Sequence, residues 1–160
     1  QMSLESVRAF LAAHASDIEV LIHDGSTATV AEAAAAHGVP EAAIAKTLSL
    51  TVGGRPFLVV AGGLARLDNK KAKAEFGGKV SMLSHEEALR ITGHPVGGVC
   101  PFGLATPLPV YCDVSLKAFE EVVPAAGSTQ SALRISPDRL AALANANWVD
   151  VCSLPLTATA

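Results

Sequence analysis

Two runs of β-forming residues, 45–52 and 55–61, are separated only by Gly53-Gly54, and no other stretch constrains the fold of this chain as tightly. Consecutive glycines both accept the positive φ of the tight turns that join antiparallel strands, so the segment is committed to a hairpin. A two-residue loop also fixes the register. Val52 faces Arg55, and steps of two pair Leu50 with Phe57, Leu48 with Val59 and Lys46 with Ala61. Lys46 therefore shares a face with Leu48, Leu50 and Val52, while Thr47, Ser49 and Thr51 occupy the other. An ammonium group on an apolar face must reach water or an anionic partner. At its level the partner strand runs into Gly62-Gly63, which leaves space for a ligand or for close backbone.

Short elements surround the hairpin. Leu4, Val7, Phe10 and Leu11 recur at helical spacing behind Ser3, predicting a helix over 4–14, and a short strand is predicted over 19–23. Thr29 and Glu32 form a capping box for a helix over 30–37 that leaves through Gly38. Asp68 caps a helix to Phe76 that stops at Gly77-Gly78, and Ser84 with Glu87 opens one that ends at Thr92-Gly93. Strands are expected over 110–113, 121–125, 131–135 and 148–151, with a helical turn over 115–119. Ser136-Pro137 starts a last helix that carries Leu140 and Leu143. Hairpins outnumber strand–helix–strand units. The expected architecture is α+β: a largely antiparallel mixed sheet rolled into a barrel-like core and wrapped by short helices. One domain is expected over 1–160, with Gln1 ahead of Met2 set apart as foreign to the natural start.

Composition removes several classes of function. A formal charge of −3 and 4% aromatic residues give no global positive field and no stacking platform, so DNA is not an expected partner. The apolar run at 56–65 is about half the ~20 residues that a membrane-spanning helix requires. The first segment lacks the basic and then apolar order of a secretory signal. Cys100, Cys112 and Cys152 form no Cys-x-x-Cys pair, which suits a reducing cytoplasm and suggests no metal centre. No Gly-x-Gly-x-x-Gly or phosphate-loop pattern is present, so no nucleotide cofactor is expected. His14, His23, His37 and His85 lack metal-ligand spacing and are read as surface residues.

Beyond Lys46, three places can hold chemistry. In Gly97-Gly98-Val99-Cys100-Pro101 the glycines let backbone amides turn inward and proline stiffens the exit, a combination suited to an anion or oxyanion. Cys100 near His94 invites a nucleophile–base reading, but no third orienting group is evident. Gly127-Ser128-Thr129 is a small polar turn between strands. Arg66, Lys70, Lys71, Lys73 and Lys79 outnumber Asp68 and Glu75, leaving a locally positive surface that suits phosphates.

Taken together, Ala45-Lys46-Thr47-Leu48, Leu67-Asp68 before the basic helix, the run from Thr92-Gly93-His94-Pro95 through Gly103, and Ala126-Gly127-Ser128 resemble the YbaK family. That family includes the editing domain inserted in bacterial prolyl-tRNA synthetases, and the likeness runs in order from about Val7 to Trp148. The resemblance implies a trans-editing aminoacyl-tRNA deacylase that hydrolyses the ester of mischarged tRNA, with tRNAPro carrying a small wrong amino acid such as Cys or Ala as its substrate. Prolyl-tRNA synthetase is the protein partner it suggests, and no cofactor or metal is implied. It places the family's essential lysine on Lys46 and its glycine-x-x-x-proline loop on Gly97 to Pro101. The amides of Gly97 and Gly98 would then position the ester carbonyl, and Cys100, Pro101, Gly127 and Ser128 would line the pocket. Arg66, Lys70, Lys71 and Lys73 would meet the tRNA. Many relatives carry serine where Cys100 stands. Two other readings follow from the residues: a non-catalytic tRNA or nucleic-acid binding module that uses the basic helix, and a Cys100-dependent hydrolase.

Overall fold

The hairpin forms in the predicted register. In the computed structural model, which describes residues 2–155, β2 (Ile44–Val52) and β3 (Arg55–Gly62) pair antiparallel with Lys46 opposite Ala61, and Gly53 and Gly54 both have positive φ. Upstream lie α1 (Met2–His14), β1 (Leu21–Ile22) and α2 (Val30–His37), and downstream lie β4 (Arg66–Leu67), α3 (Asn69–Phe76), β5 (Val80–Met82) and α4 (His85–Thr92). The chain then forms β6 (Val110–Asp113), β7 (Val123–Pro124), β8 (Ser131–Ala132), α5 (Pro137–Ala144), β9 (Asn147–Val149) and β10 (Cys152–Ser153). Short 3-10 turns at Glu41–Ala43 and Val114–Ala118 join some of these elements.

The central sheet has the order β5-β2-β3-β6-β9, with β7 also on β2, and two small antiparallel pairs, β1 with β8 and β4 with β10, flank it. The fold is α+β as expected, but the sheet is open and not closed into a barrel. Antiparallel pairs predominate across the molecule, yet β6 beside β3, β9 beside β6 and β7 beside β2 are parallel. The parallel arrangement follows from the connection: the chain leaves β3, passes through α3 and α4, and returns as β6 on the far edge of β3, as only a long crossover permits. β5 and β7 share the other edge of β2 without meeting. β5 pairs with 50–52 and β7 with 44–45, so a gap opens in the sheet between them.

Both faces of the hairpin are buried. Leu58 and Val60 join Val7, Leu11, Phe102, Leu116, Leu133 and Leu140 on one side, while Leu50, Phe57, Val59 and Ala61 pack with Ala72, Val149 and Val151 on the other. A strand covered on both faces reads as a continuous apolar run, which is the sequence of β3. Thr29 and Glu32 make the full capping box on α2, and Gly38, Gly77 and Gly93 close α2, α3 and α4 in the left-handed conformation. Asn145 ends α5 in the same conformation, a role for which its short amide side chain is suited. β4, β5 and β10 are too short for sequence periodicity to reveal and exist because partners lie alongside. His37 departs from the surface reading. It is buried beneath its helix, with its Nδ1 3.4 Å from His23 Nε2.

Candidate active site

A pocket of about 210 Å³ occupies the gap between β5 and β7. Met82 and Leu83 form one wall, Val123 and Ala125 the other, and β2 contributes Lys46, Thr47 and Ser49. The entry to α2, at Thr29 and Val30, and the turn at Gly97 complete it. The lining is mostly apolar, with a few polar atoms among the walls, the usual composition of a small-ligand site. No carboxylate lines it among the described residues.

Lys46 is half-buried at the edge of this pocket. Its ammonium donates to the carbonyl of Gly63 at 3.2 Å and to that of Ala65, and it pairs with no carboxylate among the described residues. Burial pushes its pKa below the usual lysine value, opposed by Cys152 and assisted by Arg66. Two neutral acceptors orient the group without cancelling its charge, and one of its three N–H donors is left over. Gly62-Gly63 thus serves close backbone packing: a side chain at Gly63 would collide with the Glu41 carbonyl and Val30.

Three loops meet beside the pocket. Gly97 has φ +87°, and a Cβ there would sit 2.7 Å from Ala28 Cβ. A Cβ on Gly98 would lie 2.7 Å from the Ser128 carbonyl carbon, and one on Gly127 would lie 2.7 Å from Ser3 O. Glycine is required wherever backbone approaches backbone this closely. Gly127 N–H donates to Gly98 O at 3.0 Å, and Thr27 N–H to Thr129 O at 2.6 Å, so the loops brace one another.

This packing places the expected site residues at different distances from the pocket. The Gly98 N–H is spent on Pro95 O at 2.8 Å, so Gly97 is the loop glycine whose amide remains for a ligand. Gly127 and Ser128 stand behind the lining. Ser128 Oγ bonds Ser131 Oγ at 2.6 Å, and Ser131 is the residue that reaches the pocket. Cys100 and Pro101 are buried away from the pocket, Cys100 within the main core, because this half of the loop turns inward to anchor Phe102. Burial pushes the Cys100 thiol up to about 12, which removes the thiolate a cysteine hydrolase needs. His94 is also buried, with its Nε2 2.8 Å from Phe102 O and its Nδ1 bonded to Ser3 Oγ. It ties α1 to the loop, with both ring nitrogens engaged by Ser3 and Phe102.

The basic residues lie elsewhere. α3 packs through Ala72 onto the core that holds Leu50, whereas Thr47 and Ser49 face the pocket from the opposite side of β2. Lys71 is engaged with Asp150 at 3.1 Å and with Cys152 O, and the Asp150 hydrogen bond raises its pKa. Arg66, Lys70 and Lys73 are exposed. Sequence reasoning missed the pocket walls at Thr27 to Val30, Met82, His85 and Ser131. A signal did exist in β2: Thr47 and Ser49 alternate along a strand whose neighbour is apolar on both faces, so their hydroxyls needed a polar destination.

A mixed-sheet domain thus places Lys46 and the braced Gly97 turn among the residues that line one small, mostly apolar pocket. Residues 24–143 match the family described as the aminoacyl-tRNA editing domain, and the chain belongs to that family. It is 46% identical over 153 residues to the uncharacterized protein YwhH of Bacillus subtilis, covering 94% of this chain and 98% of YwhH. It is 31% identical over 110 residues to the proline–tRNA ligase of Trichlorobacter lovleyi, spanning 68% of this chain and 19% of the ligase. Among solved structures, a protein described as a candidate trans-editing enzyme for prolyl tRNA synthetase superposes with a TM-score of 0.88 at 33% identity, covering 96% of this chain and 98% of that one. Hypothetical protein APE2540 superposes with a TM-score of 0.86 at 33% identity, over 92% and 99% of the two chains.

Proposed function

We propose that the chain is a trans-acting deacylase that hydrolyses the ester of mischarged tRNA, with tRNAPro bearing a small wrong amino acid such as Cys or Ala as its substrate. The observation that carries this reading is Lys46, a residue lining the 210 Å³ apolar pocket whose ammonium bonds two carbonyls and no carboxylate among the described residues. Lys46 holds the phosphate or ribose of the terminal adenosine through its remaining donor, and the pocket takes the aminoacyl group. The Gly97 amide faces the ester carbonyl and stabilises the negative charge that develops there. An aminoacyl ester is already activated, so holding it against water or the neighbouring ribose hydroxyl suffices and no side-chain nucleophile is needed. The buried thiol of Cys100 agrees with that economy. Arg66, Lys70 and Lys73 supply phosphate contacts outside the pocket, and prolyl-tRNA synthetase in the cytoplasm is the partner whose errors the protein corrects. The match to the aminoacyl-tRNA editing family and the likeness to the prolyl trans-editing candidate support this reading.

The test is a panel of tRNAPro charged with alanine, cysteine, serine or proline, incubated with wild type and with Lys46→Ala while ester loss is scored. Cleavage of a wrong aminoacyl ester by wild type is expected, with a loss of about 10²–10³ in rate for the variant, since one oxyanion-type stabiliser contributes roughly 2.7–4 kcal/mol. No cleavage of any panel member by the wild type, or wild-type rates in Lys46→Ala, would sink the reading.

A further inference from the structure

We infer that Thr47 is the residue that recognises the free α-ammonium group of the aminoacyl ester, which seats itself as a one-residue strand in the gap between β5 and β7. The inference rests on the deacylase reading and adds to it a requirement for an unmodified amino group.

The two-residue turn and the register with β3 make Lys46, Leu48, Leu50 and Val52 exchange backbone hydrogen bonds with β3, so the backbone groups of Ala45, Thr47, Ser49 and Thr51 point to the other edge of β2. On that edge Thr51 meets Ser81, the Ser49 carbonyl accepts Leu83 N–H at 2.9 Å, and Ala45 meets Pro124. Thr47 meets no strand. Continuing the β5 register would bring His85 opposite it, but Ser84 caps α4 and turns the chain away one residue earlier. On the other side the chain leaves β7 after Pro124, and Ala126 N–H bonds Ser131 O instead. Among the described residues, the Thr47 N–H and C=O are therefore unpaired, in a residue that lines the pocket. Its Oγ1 is also buried without a hydrogen-bond partner among the described residues. Rotation about χ1 is the movement by which this hydroxyl would reach a ligand in the pocket.

An aminoacyl ester carries a donor and an acceptor on either side of one Cα, as a strand residue does. Its ammonium donates to the Thr47 carbonyl and hydroxyl, and its ester carbonyl accepts from the Thr47 N–H. Because no carboxylate lines the pocket among the described residues, an ammonium meets only neutral acceptors there, and those of Thr47 are uncommitted. An N-acylated ester loses the charge and adds bulk in the gap, so it is rejected.

The experiment compares whichever of alanyl- and cysteinyl-tRNAPro the wild type cleaves faster with its N-acetyl derivative, and measures Thr47→Val and Thr47→Ser on the free-amine substrate. The N-acetyl ester should be cleaved at least about 100-fold less efficiently. Thr47→Val should raise KM about 10-fold with little change in kcat, a hydrogen bond to a charged group being lost. Its melting temperature should be unchanged or higher, since an unsatisfied buried hydroxyl has been removed, and Thr47→Ser should recover most of the KM. Equal cleavage of the N-acetyl ester, or an unchanged KM in Thr47→Val, overturns the inference while leaving the deacylase reading intact. Failure of the wild type to cleave any free-amine ester of the tRNAPro panel overturns both.

Discussion

Lys46 joins a cost to a use. Burying an ammonium without an anion is unfavourable, and the Gly63 and Ala65 carbonyls offset only part of that; on the proposed function, a phosphate of the substrate supplies the rest. Since burial holds its pKa below the ordinary 10.5, raising the pH deprotonates it earlier than an exposed lysine, and the anion grip is lost. The expected kcat/KM profile, corrected for spontaneous ester hydrolysis, has a descending limb that begins below pH 10.5. An undiminished profile up to that value would mean that Lys46 is not the group that binds. Cys100 yields the opposite expectation. With its thiol pushed up to about 12, Cys100→Ala should keep deacylation and lose about 1 kcal/mol of stability from the small cavity, and the wild-type thiol should resist alkylation at neutral pH. Rapid alkylation at Cys100 accompanied by inactivation would restore the thiol mechanism.

At the scale of elements, the site consists of loops held in place by helix caps and by backbone contact. Gly98 touches the Ser128 backbone so closely that a single methyl must displace one of the two loops. Gly98→Ala is therefore expected to shift the neighbouring Gly97 turn and cost about 10²-fold in kcat/KM, the penalty typical of a 1 Å misplacement, in a protein whose circular dichroism still reports the native fold. Wild-type turnover in that variant would show that the brace is dispensable. α2 contributes Val30 and Ala33 to the pocket and is fixed by its capping box, so Thr29→Ala should lower stability by about 1 kcal/mol in a denaturant titration.

Across the whole molecule, buried histidines link the packing to pH. His94 lies between α1 and the loop, and burial lowers its pKa below the ordinary 6.5 despite the opposing Phe102 carbonyl. Burial, then His23 and Arg134, lower that of His37. For both groups the unfolded chain binds more protons than the folded one as pH falls below about 6.5, so stability is complete above that value and declines on acidification towards each depressed pKa. Thermal melts from pH 7.5 to 5 should show a falling midpoint, with a shallower slope in His94→Gln. A flat midpoint would mean that neither histidine is held neutral. The sheet also separates the pocket, which opens on one face of β2, from α3 with Lys70 and Lys73, which packs on the other.

What the sequence determined alone was whatever depends on near neighbours in the chain. Gly53-Gly54 dictated the hairpin and its register, and Thr29, Asp68, Ser84 and Ser136 marked where helices begin. Only the tertiary structure decided what depends on distant segments arriving side by side. It opened the sheet instead of closing it, spent the Gly98 amide on Pro95, and withdrew Cys100 into the core. It left Thr47 without a strand partner between β5 and β7, because both neighbours turn away at its level. Turn chemistry and caps act over two to four residues and leave a local signature, whereas a gap in a sheet is set by two strands that end early, and neither end is written in the residues that line the gap.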